Sequence, residues 1–186
     1  SFKDSDGDGI GDFQGIISQL DYLNDGDPET KSDLGITGIW LMPINPSPSY
    51  HGYDVIDYFR VNPEYGSMSD FEQLVEECHK RGIKVIIDFV MNHSSDENPW
   101  FQEALKGNPG FENWYSWSDT MPQEAGPWGQ TAWHKASNGR FYYGVFTADM
   151  PDLNYQNPMV ARMMERVTEH WLKEVGVDGF RVDAAR

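Results

Sequence analysis

The sequence predicts an α/β fold in which helices and strands alternate. Three segments place apolar residues at helical spacing, and a short run rich in β-branched and aromatic residues follows each of them. Polar residues lie at the C-terminal ends of two of these runs. At these ends, parallel strands present side chains to a ligand. With right-handed crossovers, this alternation fits either an open doubly wound sheet or a (β/α)8 barrel.

The first half of the chain predicts helix, strand, helix and strand. The first helix follows from apolar residues at helical spacing: Phe13, Ile16, Ile17, Leu20 and Leu23. The run ITGIWLMPI at 36–44 then predicts a buried strand. Ser69 and Glu72 form a capping-box pattern that predicts the start of the second helix, and Gly82 predicts its end. The β-branched run at 83–90 predicts a parallel strand covered on both sides.

The last helix is predicted to begin at Asn157, an N-cap residue followed by proline, and to end at Gly176. Its apolar face groups Val160, Met163, Met164, Val167, Trp171 and Val175. A strand-like run at 177–183 follows. Between Ser94 and Met150 the alternation breaks, and this Trp-, Gly- and Pro-containing stretch is too long for a plain loop. It therefore predicts a small inserted unit.

Composition and charge argue against several classes of protein. With 39% hydrophobic and 14% aromatic residues among 186, the chain is globular rather than disordered. A net charge of −16 without a basic cluster argues against a nucleic-acid partner. No apolar run approaches the roughly 20 residues that span a bilayer, so no membrane partner is expected. The single cysteine, Cys78, lies on the apolar face of the second helix and is predicted to be a buried thiol.

An acidic loop near the start of the chain has the pattern of a calcium site. In DSDGDGIGD at 4–12, carboxylates recur two positions apart and glycines allow a tight turn around a cation. The expected ligands are four side chains and one backbone carbonyl, those of Asp4, Asp6, Asp8, Asp12 and Ile10. The position where an EF-hand carries its glutamate is Gly15 here. A solvated acidic turn is the alternative interpretation.

Polar side chains at the ends of two predicted strands form a second candidate site. Asp88, Asn92 and His93 end one strand, and Arg181 and Asp183 lie on another. Because Arg181 and Asp183 are separated by one residue, they point to the same side of a strand. Arg181 would then keep Asp183 ionised, as a nucleophilic carboxylate requires. The same spacing fits a structural ion pair equally well.

The segment YHGYD at 50–54 combines aromatic rings with hydrogen-bonding side chains. This suits a sugar ligand, because the C–H faces of a sugar stack on aromatic rings while its hydroxyls need polar partners. Tyr53 is the expected stacking residue. For the tryptophans of the insert, the favoured interpretation is a small packed core rather than sugar contact.

Three further segments occur in a fixed order along the chain: DFVMNHSS at 88–95, MPDLNY at 150–155 and GFRVDAAR at 179–186. Together with the acidic loop and HGYDVIDYF at 51–59, they resemble the α-amylase family of glycoside hydrolases (family 13) over essentially the whole chain. The resemblance implies part of a (β/α)8 barrel, about strands 2–4, with a small domain inserted after barrel strand 3. The implied divisions are 1–93 for the first part of the barrel, 94–150 for the inserted domain, and 151–186 for the barrel through strand 4.

The resemblance also implies roles for single residues. Asp183 matches the catalytic nucleophile of the family and Arg181 its charge partner. The residues that match the sugar-binding set are Tyr53, His93, Asp88, His51 and Asp54. A second calcium between barrel and insert would use Asn92 and Asn154. We therefore expect calcium as the cofactor, an oligo- or polysaccharide as the substrate, and a secreted or periplasmic location.

The implied reaction is retaining hydrolysis of α-1,4-glucans, in which one carboxylate attacks the anomeric carbon while an acid protonates the leaving oxygen. In the family, a small residue such as Ala184 after the nucleophile accompanies α-1,4 cleavage, and valine accompanies α-1,6 cleavage. A glucanotransferase of the same family would share all of these residues. An oligo-1,6-glucosidase of the same family is a further alternative, against which Ala184 argues. A non-catalytic carbohydrate-binding relative is a further alternative, against which the intact Arg181, Asp183 and His93 argue.

The family takes its glutamate acid/base and a second aspartate from later barrel strands. We therefore expect residues 1–186 alone to be inactive, with strand edges left unpaired, and the full-length protein to be a hydrolase. An assay of the isolated chain on maltooligosaccharides checks this expectation. Activity that disappears in the Asp183→Asn variant would contradict it.

Overall fold

The computed structural model describes residues 2–185, and these residues form two compact units. The first unit comprises the chain up to Pro46, Phe59–Phe89 and Glu169–Arg181, and the second comprises Ser47–Tyr58, Val90–Thr168 and the chain from Val182. Ser1 and Arg186, the outer ends of the predicted domain ranges, lie outside the described residues. The predicted domain divisions after residues 93 and 150 stay a prediction.

The helices and strands occur in the predicted order. The helices are α1 (Phe13–Ile17), α2 (Leu20–Leu23), α3 (Met68–Lys80), α4 (Pro99–Leu105) and α5 (Pro158–Glu169). A π-helical segment continues α5 over His170–Val175, and short 3-10 turns occupy Pro63–Tyr65 and Glu112–Trp114. The strands are β1 (Gly38–Leu41), β2 (Lys84–Val90), β3 (Trp117–Ser118), β4 (Trp133–Lys135), β5 (Phe141–Tyr143) and β6 (Gly179–Asp183).

The larger sheet has the strand order β1-β2-β6. β1 and β2 are parallel, as predicted, with Gly38 opposite Lys84. The prediction that β2 is covered on both sides holds for its second half, where the residues at 87–90 are all buried, but not for its first half, where Ile86 is 37% exposed. Since successive side chains of a strand point to opposite faces, the face that carries Ile86, Asp88 and Val90 is open only near the start of the strand.

The core of the first unit contains an aromatic cluster that joins three helical segments. The ring of Phe13 in α1 lies 5.1 Å from that of Phe71 in α3, and Phe71 meets Trp171 edge to face at 5.7 Å. All three residues are at most 3% exposed. Trp171 belongs to the π-helical segment, which the periodicity did not predict. Its carbonyl accepts hydrogen bonds from the N–H groups of both Gly176 and Val177.

Two predicted details of the helices are wrong and one is confirmed. The first helix is broken into α1 and α2, because the Ser18 hydroxyl donates to the Gly15 carbonyl at 2.7 Å and competes with the helical pattern. The capping box of α3 consists of Ser67 and Asp70, two residues earlier than the predicted pair, with each side chain accepting the other residue's backbone N–H. The predicted start of α5 is confirmed, since Asn157 Oδ1 accepts a backbone N–H at 3.0 Å.

The stretch at 94–150 lies within the second unit and folds into α4 and a small antiparallel sheet of order β3-β5-β4. Its core centres on Phe101, whose ring lies within 5.7 Å of three other rings, those of Tyr115, Trp117 and Tyr142. The tryptophans differ in environment: Trp114 is 4% exposed and packs in the interior, but Trp128 is 70% exposed. The insert is therefore a packed structure that leaves one tryptophan in solvent.

No helix among residues 2–185 combines the length and the apolar character needed to cross a bilayer. Cys78 is buried, as predicted, and burial raises the pKa of its thiol to about 11. The thiol is therefore protonated at neutral pH and packs as a small apolar group.

The Asp178 carboxylate fixes the chain just before β6. It accepts hydrogen bonds from His79 Nε2 (2.7 Å), Lys84 Nζ (2.9 Å) and the Val85 N–H (2.8 Å), and the Asp178 N–H donates to the Val85 carbonyl at 2.8 Å. Burial alone would raise the pKa of Asp178, but the three donors outweigh it and lower the pKa from 3.8 to about 2. Hydrogen bonds to one ionised carboxylate thus connect the end of α3 to the start of β2.

We predict that Asp178→Asn lowers the free energy of unfolding by about 1–2 kcal/mol at neutral pH, since three donors lose their charged acceptor. The folded-state pKa lies below the ordinary value, so this contribution is complete above about pH 4 and is lost as the pH falls towards 2. Urea unfolding at pH 7 and at pH 3 measures both effects.

Asp21→Asn is the matched control, because the Asp21 side chain is 76% exposed and pairs with Arg81 at the surface. We expect it to change the free energy of unfolding by less than about 1 kcal/mol. An equal loss in both variants, or a difference between them that does not shrink at pH 3, would contradict the assigned role of Asp178.

Candidate active site

A cavity of about 390 Å³ in the second unit brings together four of the residues singled out in the sequence: His51, Tyr53, His93 and Asp183. Its remaining lining residues are Phe146, Thr147 and Met150. The volume lies in the range of small-molecule sites, and the lining combines apolar and aromatic surface with a carboxylate and two imidazoles. Such a lining is suited to a sugar.

The loop at 47–54 holds His51 in one orientation. The Tyr53 N–H donates to His51 Nδ1 at 3.1 Å, and Gly52 between them has a φ of 80°, which only glycine adopts readily. Since a backbone N–H can only donate, Nδ1 is an acceptor and the proton of the neutral ring lies on Nε2. His51 can therefore offer an N–H to a ligand hydroxyl.

Asp54 supports this loop rather than lining the cavity. Its side chain is 5% exposed and accepts hydrogen bonds from the hydroxyls of Ser47 and Ser49. Ser49 Oγ also lies 3.0 Å from His51 Nδ1. Asp54 can therefore shape the pocket indirectly, as predicted, by positioning the hydroxyl groups that surround His51.

His93 is fixed at both ring nitrogens and at its backbone. Its Nε2 donates to the Tyr53 carbonyl at 3.1 Å, and its Nδ1 accepts from the Asn92 amide at 3.3 Å. The Tyr58 hydroxyl donates to the His93 carbonyl at 2.5 Å, and His93 as a whole is 1% exposed. This network defines the neutral tautomer with the proton on Nε2 and locks the ring at the cavity wall.

Asp88 and Arg181 form an ion pair within the first unit. Arg181 Nη1 lies 3.1 and 3.3 Å from the two carboxylate oxygens of Asp88, whose side chain is fully buried, and the guanidinium stands 5.5 Å from the centre of the Trp40 ring. A buried carboxylate requires such a partner, because an uncompensated charge is costly away from water. The predicted contact of Arg181 with Asp183 stays a prediction.

Asp183 is the last residue of β6, and an unusual backbone conformation follows it. Ala184 has a φ of 48°, the only positive φ of a residue other than glycine among those described. This conformation costs an alanine about 1 kcal/mol, and such residues concentrate at functional sites. The sharp turn ends the strand directly after the carboxylate and gives Asp183 a defined position at the cavity.

The acidic loop brings Asp4, Asp6 and Asp8 together, with one carboxylate oxygen of each within 4.8 Å of the others. Asp4 accepts three backbone N–H groups, and the bond from Gly7 is the main cause that lowers the pKa of this carboxyl. Asp6 and Asp8 are exposed. An all-oxygen cluster of carboxylates with open access fits a calcium ion, which takes six to eight oxygen ligands.

Asp12 lies outside this cluster and caps α1. Its Oδ1 accepts the Gly15 N–H at 2.6 Å, and its Oδ2 accepts the Ser5 N–H and hydroxyl at 2.8 and 2.9 Å. Partial burial would raise the pKa of Asp12, but these hydrogen bonds lower it. Gly15 leaves no room for the side chain of an EF-hand ligand, since a Cβ there would lie 2.1 Å from the Lys3 carbonyl oxygen. The roles of Asp12 and Ile10 as calcium ligands stay predictions.

The residues of the predicted second calcium site are engaged in the backbone around them. Asn154 donates from its side chain to the Asn113 carbonyl at 3.1 Å and accepts the Gln156 N–H at 3.1 Å. Asn92 donates to His93 and accepts the Leu153 N–H on its carbonyl at 2.9 Å. Both residues therefore hold the PDLN segment in place, and calcium binding by them stays a prediction.

Sequence reasoning did not assign a role in the site to Phe146, Thr147 or Met150. Phe146 and Thr147 lie in the insert, outside any motif, so no local pattern distinguishes them from other loop residues. Met150 opens the segment MPDLNY and could have been found from that motif, because the segment lies beside His93: His93 and Asp152 form an isolated β-bridge.

Comparison with known proteins identifies the family of the chain. A family model described as "Alpha amylase, catalytic domain" matches residues 1–186. Two similar proteins are "Alpha-amylase 3" of Dictyoglomus thermophilum, 45% identical over all of this chain and 35% of its own length, and "4-alpha-glucanotransferase" of Thermotoga maritima, 43% identical over all of this chain and 41% of its own length. The chain thus spans well under half of the curated relatives it matches.

A crystal structure of alpha-amylase from H. orenii superposes on the whole chain with a TM-score of 0.91 and 55% sequence identity, over 38% of that protein. The similarity confirms the predicted fold class, a part of the (β/α)8 barrel of amylases, with a sheet that does not close within the described residues. The chain therefore belongs to the alpha-amylase catalytic-domain family.

Proposed function

We propose that the full-length protein is a retaining α-glycosidase that hydrolyses α-1,4-glucans such as starch and maltooligosaccharides. The observation that carries this proposal is the cavity in which Asp183 lies with His51, Tyr53 and His93. The membership of the chain in the alpha-amylase family supports the same reaction.

In this proposal, Asp183 is the nucleophile. Its carboxylate attacks the anomeric carbon of a sugar in the cavity, and the leaving oxygen takes a proton from a carboxylic acid elsewhere in the full-length domain. A retaining mechanism places these two carboxyl groups about 5–5.5 Å apart. The glycosyl ester on Asp183 is then hydrolysed by water, which the same acid residue, now ionised, activates as a base.

The other cavity residues bind and orient the sugar. The Tyr53 ring is proposed to stack on a sugar face, and His51 to donate its Nε2 proton to a hydroxyl. His93 acts mainly by position, because both of its ring nitrogens already have partners in the protein. Asp88 and Arg181 are proposed to set the charge and the geometry of the strand ends that carry the nucleophile.

The α-1,4 preference rests on the small residue after the nucleophile, Ala184, and on the similarity to proteins named alpha-amylase. A glucanotransferase is the second candidate, since one similar protein carries that name at 43% identity. In both reactions the glycosyl-enzyme forms in the same way. They differ in whether water or a sugar hydroxyl takes up the glycosyl group.

Product analysis of the full-length protein tests the proposal. We expect maltoheptaose to give shorter maltooligosaccharides, isomaltotriose to remain intact, and Asp183→Asn to lower kcat at least about 10³-fold, because the covalent route is lost. Asp119→Asn, which changes an exposed carboxylate of the second unit, is the control and is expected to keep the activity of the unmutated protein.

Each contrary result has a distinct meaning. Products longer than maltoheptaose would establish a transferase. Cleavage of isomaltotriose would overturn the linkage assignment. Activity that survives Asp183→Asn would exclude Asp183 as the nucleophile.

We further propose that the acidic loop binds calcium through Asp4, Asp6 and Asp8. The ion would have a structural role, because it would neutralise three carboxylates and fix the loop that leads into α1. Three carboxylates within reach of one ion and open access to them support this role. A secreted or periplasmic location, where calcium is abundant, completes the proposal.

We predict that calcium at about 100 times its dissociation constant stabilises the protein by about 2.7 kcal/mol, and that Asp8→Asn removes most of this gain. Thermal unfolding with calcium and with a chelator measures it. Asp27→Asn, in the separate acidic loop at 25–33, is the control and should keep the full calcium response. An equal response in the unmutated protein and in Asp8→Asn would contradict calcium binding by this loop.

A further inference from the structure

Each asparagine of the sequence can lose its side-chain amide by attack of the next backbone nitrogen, so the residue that follows it sets the ease of the reaction. Glycine follows only Asn138, and its small size leaves the attacking nitrogen unhindered. Four others precede aspartate, histidine, tryptophan or tyrosine, whose side chains hinder the attack. The rest precede proline, which has no backbone N–H and cannot attack: Asn45, Asn62, Asn98, Asn108 and Asn157.

Asn138 lies in the turn of the hairpin that joins β4 to β5. The Ala136 N–H donates to the Arg140 carbonyl at 2.8 Å and closes this turn, in which Gly139 has a φ of 89°. Asn138 and Gly139 are both exposed, so water and hydroxide reach the side-chain amide and the attacking nitrogen. The pair with the least hindered attack is therefore also open to solvent.

The folded turn nevertheless engages the groups that would react. The Gly139 N–H donates to the Ala136 carbonyl at 3.1 Å. The Asn138 side chain is held at both ends, since its Oδ1 accepts the Arg140 N–H at 3.1 Å and its Nδ2 donates to the Leu105 carbonyl at 3.2 Å. These bonds must break before the nitrogen can reach the side-chain carbonyl. The fold therefore slows the reaction, and a local opening of the turn permits it.

We propose that Asn138 is a modification site at which the protein deamidates, with opening of the turn as the controlling step. In the open turn, hydroxide removes the proton of the Gly139 nitrogen, which then bonds to Asn138 Cγ. The bond from Cγ to Nδ2 breaks, and the amide nitrogen takes a proton from water and leaves as ammonia. Water then opens the cyclic imide. Opening at Cγ gives aspartate, and opening at the backbone carbonyl of Asn138 gives isoaspartate.

Both products disturb the contact of the turn with α4. Leu105 is the last residue of α4, so its carbonyl belongs to the negative end of the helix dipole. The Asn138 amide donates to this carbonyl, whereas a carboxylate cannot donate and is repelled by it. Isoaspartate also adds one atom to the main chain, which displaces Ala136 from Arg140. Because α4 carries Phe101 at the centre of the insert core, the modification weakens the insert as well as the turn.

Timed peptide mapping of the full-length protein tests the proposal. Trypsin cleaves after Lys135 and Arg140, so the peptide ASNGR at 136–140 isolates Asn138 from every other asparagine of the sequence. During incubation at mildly alkaline pH, we expect aspartate and isoaspartate to accumulate in this peptide while the other asparagines at 1–186 stay intact. In urea the rate should rise at least about fivefold, because the turn no longer restrains the reacting groups.

Asn138→Gln is the matched control for the chemistry, because it keeps the amide but would have to close a less favourable six-membered ring. It is expected to stay unmodified over the same time. Asn138→Asp carries the aspartate product directly. We expect it to lower Tm by about 1–3 °C, and Ser137→Asp, which adds the same charge at the exposed neighbouring position, to stay within about 1 °C of the unmutated protein.

The contrary results are separable. Modification spread evenly over the asparagines, or a peptide that stays unchanged both in buffer and in urea, would overturn the site. Equal rates in the folded and the unfolded protein would overturn control by the turn. Equal losses of Tm in Asn138→Asp and Ser137→Asp would overturn the role of the contact with α4. None of these results depends on the reaction at the cavity, so the proposed function stands or fails separately.

Discussion

The arrangement of the cavity depends on the burial of His93 with every polar atom of its ring engaged. Its Nε2 donates a hydrogen bond to the Tyr53 carbonyl, and its Nδ1 accepts one from the Asn92 side-chain amide. The Tyr58 hydroxyl donates a hydrogen bond to the His93 carbonyl. These contacts attach the loop at 47–58 to the segment that follows β2. Two further bonds, from the Ser95 N–H and the Asn98 side chain to the Val55 carbonyl, strengthen the same junction.

The consequence is that the cavity is largely preorganised. A sugar site gains affinity and selectivity when its polar groups are oriented before the ligand arrives, because little ordering remains to be done on binding. His51 is oriented by the Tyr53 N–H, and Asp54 is held by two serine hydroxyls. In each case a neighbouring residue of the same loop supplies the constraint, so the segment HGYD is a structural unit as well as a sequence motif.

Some of the many acidic side chains are hydrogen-bonded within their own loops, and others are exposed to solvent. Several aspartates accept backbone N–H groups of their own loops: Asp4, Asp12, Asp25 and Asp27 do so at distances between 2.6 and 3.1 Å. Asp178 does the same between elements of the first unit. A negative charge that accepts such bonds is partly compensated, which allows a chain of net charge −16 to form tight loops.

Much of the fold could be predicted from the sequence, because it follows from local patterns. These patterns are the periodicity of helices and strands and the residues that mark the two ends of the last predicted helix, Asn157 and Gly176. The break at Ser18 and the π-helical segment could not, since each depends on a hydrogen bond that competes with regular geometry. Motif residues predicted most of the cavity. Phe146 and Thr147 were not assigned to it, because their positions follow from long-range packing of the insert, which has no periodic pattern.

The left-handed backbone at Ala184 also limits which side chains can follow Asp183. A β-branched residue is strongly disfavoured at a φ of 48°, so a valine introduced there would strain the turn directly after Asp183. Substitution directly after Asp183 is therefore restricted by the backbone itself, and a change to a β-branched side chain requires the turn to relax as well.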